Sequence, residues 1–405
     1  MKRVVILCVW LFSVVAGHAQ LSLDECRRLA RENYPEIRQY DLVHQTEQYN
    51  LSNAARAWIP QLAFSAQATW QTDAPNFPKE LTGMLAQQGL EIPGLRKDQY
   101  KVALELNQTI WDGGKSVADK RIARAEAAEQ KTMTDVDLYE LEGRVDDLYF
   151  GILLLDERIA QTNLTLNLLR SNLEKVRALQ RNGVAMQSDA DVLEAELLSV
   201  GQQLIQFESS CDSYRRMLGI FIGQRVGDRK LQRPSAVQPL SGESARPELA
   251  MFAAKIDRLT AQEKMVKSSS MPRLGFFAQG YYGYPGLDYM QSMMNNDWSW
   301  NAMLGVKLSW NFGAYYTQKN NLNKLRTSRQ QVEVQRDVFL FNMNLQAAQE
   351  NGDIARLRKA IADDDRIVAL RRSVREAAES KLRNGIIDTH DLLSKITDES
   401  TASMA

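Results

Sequence analysis

The feature that most constrains this chain is that it repeats itself over nearly its whole length. Tyr34-Pro35-Glu36-Ile37 resembles Arg246-Pro247-Glu248-Leu249, and Ile59-Pro60-Gln61-Leu62 resembles Met271-Pro272-Arg273-Leu274, both pairs 212 residues apart. Further along, the stretch from Ile110 to Lys115 (IWDGGK) answers the stretch from Trp310 to Tyr315 (WNFGAY), with Gly113 and Gly313 standing 200 apart. Two Arg-Asn-Gly turns, ending at Gly183 and Gly385, stand 202 apart. Such a period is far too long for a solenoid repeat, so the chain reads as two copies of one large supersecondary unit fused head to tail. The copies are placed at 20–235 and 236–405.

Ahead of them, Lys2 and Arg3 precede an apolar run from Val4 to Ala16, followed by the small-x-small pattern Gly17-His18-Ala19. This predicts a secretory signal peptide over 1–19. No later segment offers about 18 uncharged apolar residues, so a membrane could be crossed only by strands. The 50 basic and 50 acidic side chains balance, which leaves no electrostatic footprint for nucleic acid. Three cysteines and three histidines, unclustered, give no material for a metal site, and no cofactor is expected. Nothing resembles a catalytic set or a nucleotide-binding loop, so an enzyme is not expected.

Each copy reads in the same order. A helical pattern over about 36–57 stops before Pro60, because proline and its restricted neighbour end a helix. Strands are expected at about 61–71 and 101–111 in the first copy, and at about 273–282 and 302–312 in the second. The last is clearest: Leu304, Val306, Leu308, Trp310 and Phe312 share one face, with Gly305, Lys307, Ser309 and Asn311 on the other. Runs of this length suit a tilted transmembrane strand, with lipid on one side and water on the other. Trp58, Trp70, Trp111, Trp298, Trp300 and Trp310 all lie in or beside these strands, as membrane-interface aromatics do.

The helices carry the rest of the pattern. Leu138, Leu141, Val145, Leu148, Ile152, Leu155 and Ile159 alternate spacings of three and four, and the register continues through Thr162 to Leu166, Leu169, Leu173 and Val176. That is a coiled-coil seam. The second copy keeps it through Val334, Val338, Phe341, Leu345 and Ala348. Helix from Gly114 to Arg181 would make a rod of roughly 100 Å at about 1.5 Å per residue.

Signal peptide, strand pairs closed by Trp111-Asp112-Gly113-Gly114 and Asn311-Phe312-Gly313, heptad helices and an Arg-Asn-Gly turn in each half together resemble the TolC-type outer membrane efflux protein family. The match covers nearly the whole mature chain, and its specificity comes from order and duplication. The resemblance implies a mainly α fold with a membrane β-barrel portion. It implies a homotrimer in which four strands per chain build a shared twelve-stranded barrel and long helices build a periplasmic α-barrel. It further implies a passive exit duct of a tripartite efflux or type I secretion system, extending from the outer membrane into the periplasm of a Gram-negative bacterium. Its partners would be outer-membrane lipid, a periplasmic adaptor protein and an inner-membrane pump of RND, ABC or MFS type. The turns Arg181-Asn182-Gly183-Val184 and Arg383-Asn384-Gly385-Ile386, with tips near 181–187 and 383–389, would meet the adaptor. Asp391 matches a pore-constriction aspartate, with Ser394 standing where the family's archetype has a second one. Asp189 matches a latch aspartate, but its arginine partner is replaced by Ile387.

Alternatives stay open on the residues alone. Asp189 and Asp391 both suit the first turn of a helix, where macrodipole and capping favour them. His44 and His390 read as isolated polar residues, and Asp363-Asp364-Asp365 beside Arg366 as a solvated face. Cys26 and Cys211 could pair or lie buried as small hydrophobes. The segments 71–99 and 283–297 would face the cell exterior, with a short helix at Leu81–Gln88. About 38 residues of helix follow Gly183 but only 20 follow Gly385, which predicts a truncated returning helix. A periplasmic coiled-coil scaffold without channel activity is the rival to the duct.

Overall fold

The structure, a computed structural model, describes residues 20–90, 92–235 and 245–404. The expected signal peptide lies outside the described residues. The elements run α1 (Leu23–Asn33), a 3-10 turn (Pro35–Arg38), α2 (Gln39–Arg56), β1 (Gln61–Trp70), α3 (Lys79–Gln87), β2 (Asp98–Trp111), α4 (Lys115–Arg181) and α5 (Gln187–Ile222). Then follow α6 (Pro247–Ser268), β3 (Arg273–Tyr284), α7 (Tyr289–Asn295), β4 (Ser299–Ser309), α8 (Gly313–Arg383) and α9 (Thr389–Met404). Leaving α1 aside, one order occurs twice: helix, strand, short helix, strand, long helix, returning helix. The sequence duplication is thus a duplication of structure.

Two compact units are present, one of Met1–Arg38, Thr134–Pro247 and Asp337–Ala405, the other of Gln39–Met133 and Glu248–Arg336. Each draws on both repeats. The second unit holds a four-stranded antiparallel sheet in the order β1-β2-β3-β4. Its registers pair even numbers with even: Phe64↔Leu104, Leu106↔Ala278, Ala278↔Leu304 and Phe276↔Val306. Because side chains alternate along a strand, all even residues share one face, and that face is apolar from edge to edge apart from Asp98 and Gln108 of β2. The odd face carries Gln61, Ser65, Gln67, Lys101, Glu105, Asn107, Gln279 and Lys307. One register shift, between Thr109 and Trp111 opposite Leu274, inserts an extra residue into β2. This bulge carries odd-numbered Trp111 over to the apolar face.

Strand limits differ from the sequence reading in an instructive way. β4 lies three residues earlier than expected, at 299–309, because the Asn311 side chain accepts the Gly313 N–H at 3.0 Å and turns the chain into α8. β2 begins at Asp98, paired with Trp70, although Asp98 and Gln99 carry no strand signal of their own. β1 ends at Trp70 and β3 extends to Tyr284. The short helix α3 is present at 79–87, and α7 within 283–297 was not foreseen.

In the first unit the seam of α4 is its core. Leu138, Leu141, Val145, Ile152, Thr162, Leu169 and Val176 are buried, and Leu155 and Ile159 are half-buried. Toward the turns, Leu169, Leu173 and Val176 of α4 pack with Ala190 and Leu193 of α5, Ala378 of α8, and Leu392 and Ile396 of α9. Each such Leu or Ile contributes about 2–3 kcal/mol by leaving water. α1 is fastened by ion pairs: Arg27 to Asp146 through two nitrogens, and Arg31 to Glu142 at 3.0 Å. Tyr149 is fully buried and its hydroxyl donates toward the Leu21 and Gln232 carbonyls.

Candidate functional site

The two Arg-Asn-Gly turns have one geometry. Asn182 accepts the chain from α4, Gly183 sits at φ +75°, and the Val184 N–H reaches back to the Leu179 carbonyl at 2.9 Å. In the second turn Gly385 sits at φ +70° and the Ile386 N–H reaches the Lys381 carbonyl at 2.9 Å. This is the left-handed C-terminal cap that glycine adopts without strain, and it leaves Arg181, Asn182, Arg383 and Asn384 at the exposed end. Val184 and Ile386 are apolar yet 70% and 68% exposed, one at each turn. Buried Thr165 and Ser400 hydrogen-bond at 3.1 Å, and the shared apolar cluster fixes the two turns beside one another.

The two aspartates separate. The Asp189 carboxylate accepts the Met186 N–H at 2.8 Å, so it caps the start of α5. At the equivalent place Asp388, not Asp391, is the cap: its carboxylate accepts the Asp391 N–H at 2.8 Å. The Asp391 carboxylate is exposed and makes no hydrogen bond or ion pair among the described residues. Ser394 is exposed one turn on, opposite the buried Leu392 and Ile396. His390 is exposed as well.

At the strand-to-helix junctions, buried Asp112 accepts the Gly114 N–H at 2.9 Å, the Ser116 N–H at 2.7 Å and the Ser116 hydroxyl. Burial pushes this carboxyl up, but the hydrogen bonds from Ser116 and Gly114 outweigh it and hold it below its ordinary value. Gly113 and Gly114 both have positive φ, and a Cβ on Gly113 would lie 2.7 Å from Met271. Asn311 does the same work through Gly313, with Phe312 60% exposed between them. The geometry therefore equates Gly114 with Gly313, one residue off the Gly113 pairing read from the sequence.

The outer surfaces of the sheet are the less ordinary feature. All six tryptophans from Trp58 to Trp310 are 39–82% exposed, although Trp is a residue that folded chains cover. They form two belts. Trp70, Trp298 and Trp300 stand at the loop end with Tyr100 and Tyr282, whose rings lie 5.0–5.6 Å from Trp298 or Trp300. Trp58, Trp111 and Trp310 stand at the helix end. Ten residue steps from Trp300 to Trp310 give about 33 Å along a strand, or about 25 Å of height at a tilt of ~40°. Between the belts Phe64, Leu104, Leu304, Val306 and Leu308 are exposed, and β1 and β4 have unpaired outer edges. At the loop end the Gly94 N–H donates to the Met293 carbonyl and the Arg96 N–H to the Tyr284 hydroxyl, tying the two loops together.

Cys26 and Cys211 are both buried free thiols. Burial, reinforced by Glu25, pushes the Cys26 thiol up to about 12. Burial raises Cys211 too, against the Arg215 hydrogen bond. Both are held as inert thiols.

Comparison with known proteins accords with these surfaces. The fold matches the outer membrane protein VceC from Vibrio cholerae (TM-score 0.69, 14% identity, 94% of this chain and 90% of that one). It matches the outer-membrane channel OprN (0.70, 14%, 94% and 85%) and the open state of the Neisseria gonorrhoeae MtrE outer membrane channel (0.62, 15%, 94% and 84%). No curated protein matches by sequence. The fold is that of the outer-membrane channels. Residues 27–223, just under half of the chain, match the sequence profile of the family described as outer membrane efflux protein.

Proposed function

We propose that the protein is a passive exit duct, closed by three copies of the chain, in a tripartite efflux or type I secretion machine. The observation that carries this reading is the sheet: four strands with an exposed apolar face, two tryptophan belts and two free edges. Open edges do not face lipid, because each unpaired N–H or C=O there costs several kcal/mol, on the order of a lost hydrogen bond in hydrocarbon. β1 and β4 run antiparallel to one another, so β4 of one copy continues onto β1 of the next. Three copies close a twelve-stranded barrel.

The same argument applies to the helices. On α8, Val338, Phe341 and Leu345, then Ile354, Leu357 and Ile361, then Ile367, Leu370 and Val374, are all exposed, 44–63%. A stripe of that length needs covering, and helices of the adjacent copy cover it in an α-barrel on the periplasmic side. The paired turns with Val184 and Ile386 then form the end that meets a periplasmic adaptor, and an inner-membrane pump supplies the energy. Asp391, whose carboxylate is unoccupied, is the pore-ring residue, and Ser394 stands one turn further along. Asp189 is a cap.

The test is electrical. Full-length protein extracted in detergent and placed in planar bilayers is expected to conduct as a trimer, and Asp391→Ala is expected to lower its sensitivity to block by divalent cations about tenfold. A protein released by osmotic shock, monomeric and silent in bilayers, would instead be a periplasmic scaffold.

A further inference from the structure

Given the duct, the odd-numbered face of the sheet lines its lumen, and the charges on that face are unevenly settled. In the loop-end half, the Lys101 ammonium donates to Gln279 Oε1 at 3.0 Å, and Gln279 in turn donates to the Glu105 carboxylate. Lys101 also lies 4.5 Å from the centre of the Tyr281 ring. One cation and one anion are thus linked through an amide.

The helix-end half has no such balance. Arg273 pairs with Ser309 and Gly275 with Lys307, which puts the two cations on diagonal positions of neighbouring strands, with Cβ atoms about 7 Å apart. Neither makes an ion pair or a side-chain hydrogen bond among the described residues. Both line a cavity of about 560 Å³ that also touches Asp112, Lys115, Asp119 and Phe277. The carboxylates there are already engaged: Asp112 holds the first turn of α4, and Asp119 takes the Lys115 ammonium at 2.7 Å. Beside the free cations the Phe277 ring lies across the backbone of Gly305, so close that a Cβ on Gly305 would meet its edge at 3.0 Å. That ring is a flat apolar ledge one diagonal position from Lys307, and it lines the same cavity as Arg273.

We propose that Arg273, Lys307 and Phe277 form a lumenal collecting site for organic anions, that is, an acid group carried on an aromatic or apolar body. The guanidinium and ammonium take the acid oxygens and the ring takes the body. Three copies set six uncompensated cations around the helix-end mouth of the barrel. The inference rests on the duct reading.

The experiment is a bilayer measurement on the full chain under a salt gradient, with naphthalene-2-sulfonate as probe and methanesulfonate as its apolar-poor control. The double variant R273Q/K307Q is expected to shift the reversal potential toward cations. It is also expected to weaken block by naphthalene-2-sulfonate about tenfold, an effect largest at low salt, where the screening length is longest. Phe277→Leu is expected to keep the reversal potential and to lose the preference for the naphthyl probe over methanesulfonate. A reversal potential and probe block that are the same in wild type and the double variant, in channels that conduct normally, would overturn this proposal alone. Wild-type protein that never conducts would overturn the duct and this site with it. Both cations are exposed and make no ion pair or side-chain hydrogen bond among the described residues, so the variants test charge rather than folding; block by the probe in wild type that ignores salt would be a second refutation.

Discussion

Asp112 and Asn311 hold the same structural position with different chemistry, and only one of them titrates. Each accepts the N–H two residues on and starts a long helix. Asp112→Asn is therefore expected to be mild, whereas Asp112→Ala is expected to cost about 1–2 kcal/mol in thermal or urea unfolding. The sign of the pH effect follows from the direction of the shift. A carboxyl held lower in the folded than in the unfolded state contributes fully above its unfolded pKa, and the contribution is lost as pH falls through the folded value. Wild type should thus lose stability on acidification below the ordinary carboxylate range, and Asp112→Asn should flatten that loss. Arg375 is a second single-residue hinge of stability. It joins Glu399 of α9 to Glu379 of α8, all three largely covered, while Arg371 reaches Asp398 at 2.7 Å. Arg375→Gln removes the cation shared by two covered carboxylates, leaving Glu399 only Arg372 at 3.3 Å and Glu379 only Lys175 at 3.7 Å, and is expected to cost about 1–2 kcal/mol, read as a lower melting temperature.

Elements show what a sequence can and cannot specify. The α4 seam was legible residue by residue, because a three-four spacing fixes which side of a helix is apolar. What that side touches was not. In the first copy the stripe is buried under α5 and its neighbours, and in the second the same spacing at Val338, Phe341 and Leu345 is exposed. The bulge at Ile110 was also invisible, since alternation in β2 places Trp111 on the polar face and only the register with Leu274 moves it back. α7 had a signal that went unread: Asp288 caps it by accepting the Gln291 N–H at 3.0 Å. Of the candidate site, the Arg-Asn-Gly turns could be read because glycine alone tolerates their left-handed backbone. The different fates of Asp189 and Asp391 could not, because they turn on whether the residue three before each one carries a cap, Met186 in one case and Asp388 in the other. The turns also separate fold from contact. Gly385→Val is expected to cost about 1–2 kcal/mol through strain at positive φ. Val184→Asp with Ile386→Asp, at positions that are mostly solvent-exposed, should leave stability and conductance alone and abolish adaptor co-purification.

At the scale of the whole molecule, the surfaces that one chain leaves unfinished define the assembly, and they can be tested apart from the membrane. If copies cover the α8 stripe, Leu345→Asp with Leu357→Asp puts six carboxylates into the interfaces of a trimer, each facing apolar side chains with no cation supplied. Burying an uncompensated charge costs several kcal/mol, of order 3–5 per site, so the assembled form should be lost. The isolated chain has no reason to suffer, because Leu345 and Leu357 are 56% and 48% exposed within it and lie in the middle of a helix that aspartate weakens by only about 0.5 kcal/mol per position. The expected result is a shift from trimer to monomer in detergent, read by sedimentation, with helical circular dichroism retained. A trimer that survives both substitutions would mean that the stripe is not the seam between copies, and the closure would then have to rest on the sheet edges alone. Pairing the substitutions with Leu304→Asp on the apolar face of β4 distinguishes the two surfaces: that change leaves helix contacts alone and should instead prevent insertion into the bilayer, because it sets a charge at lipid depth.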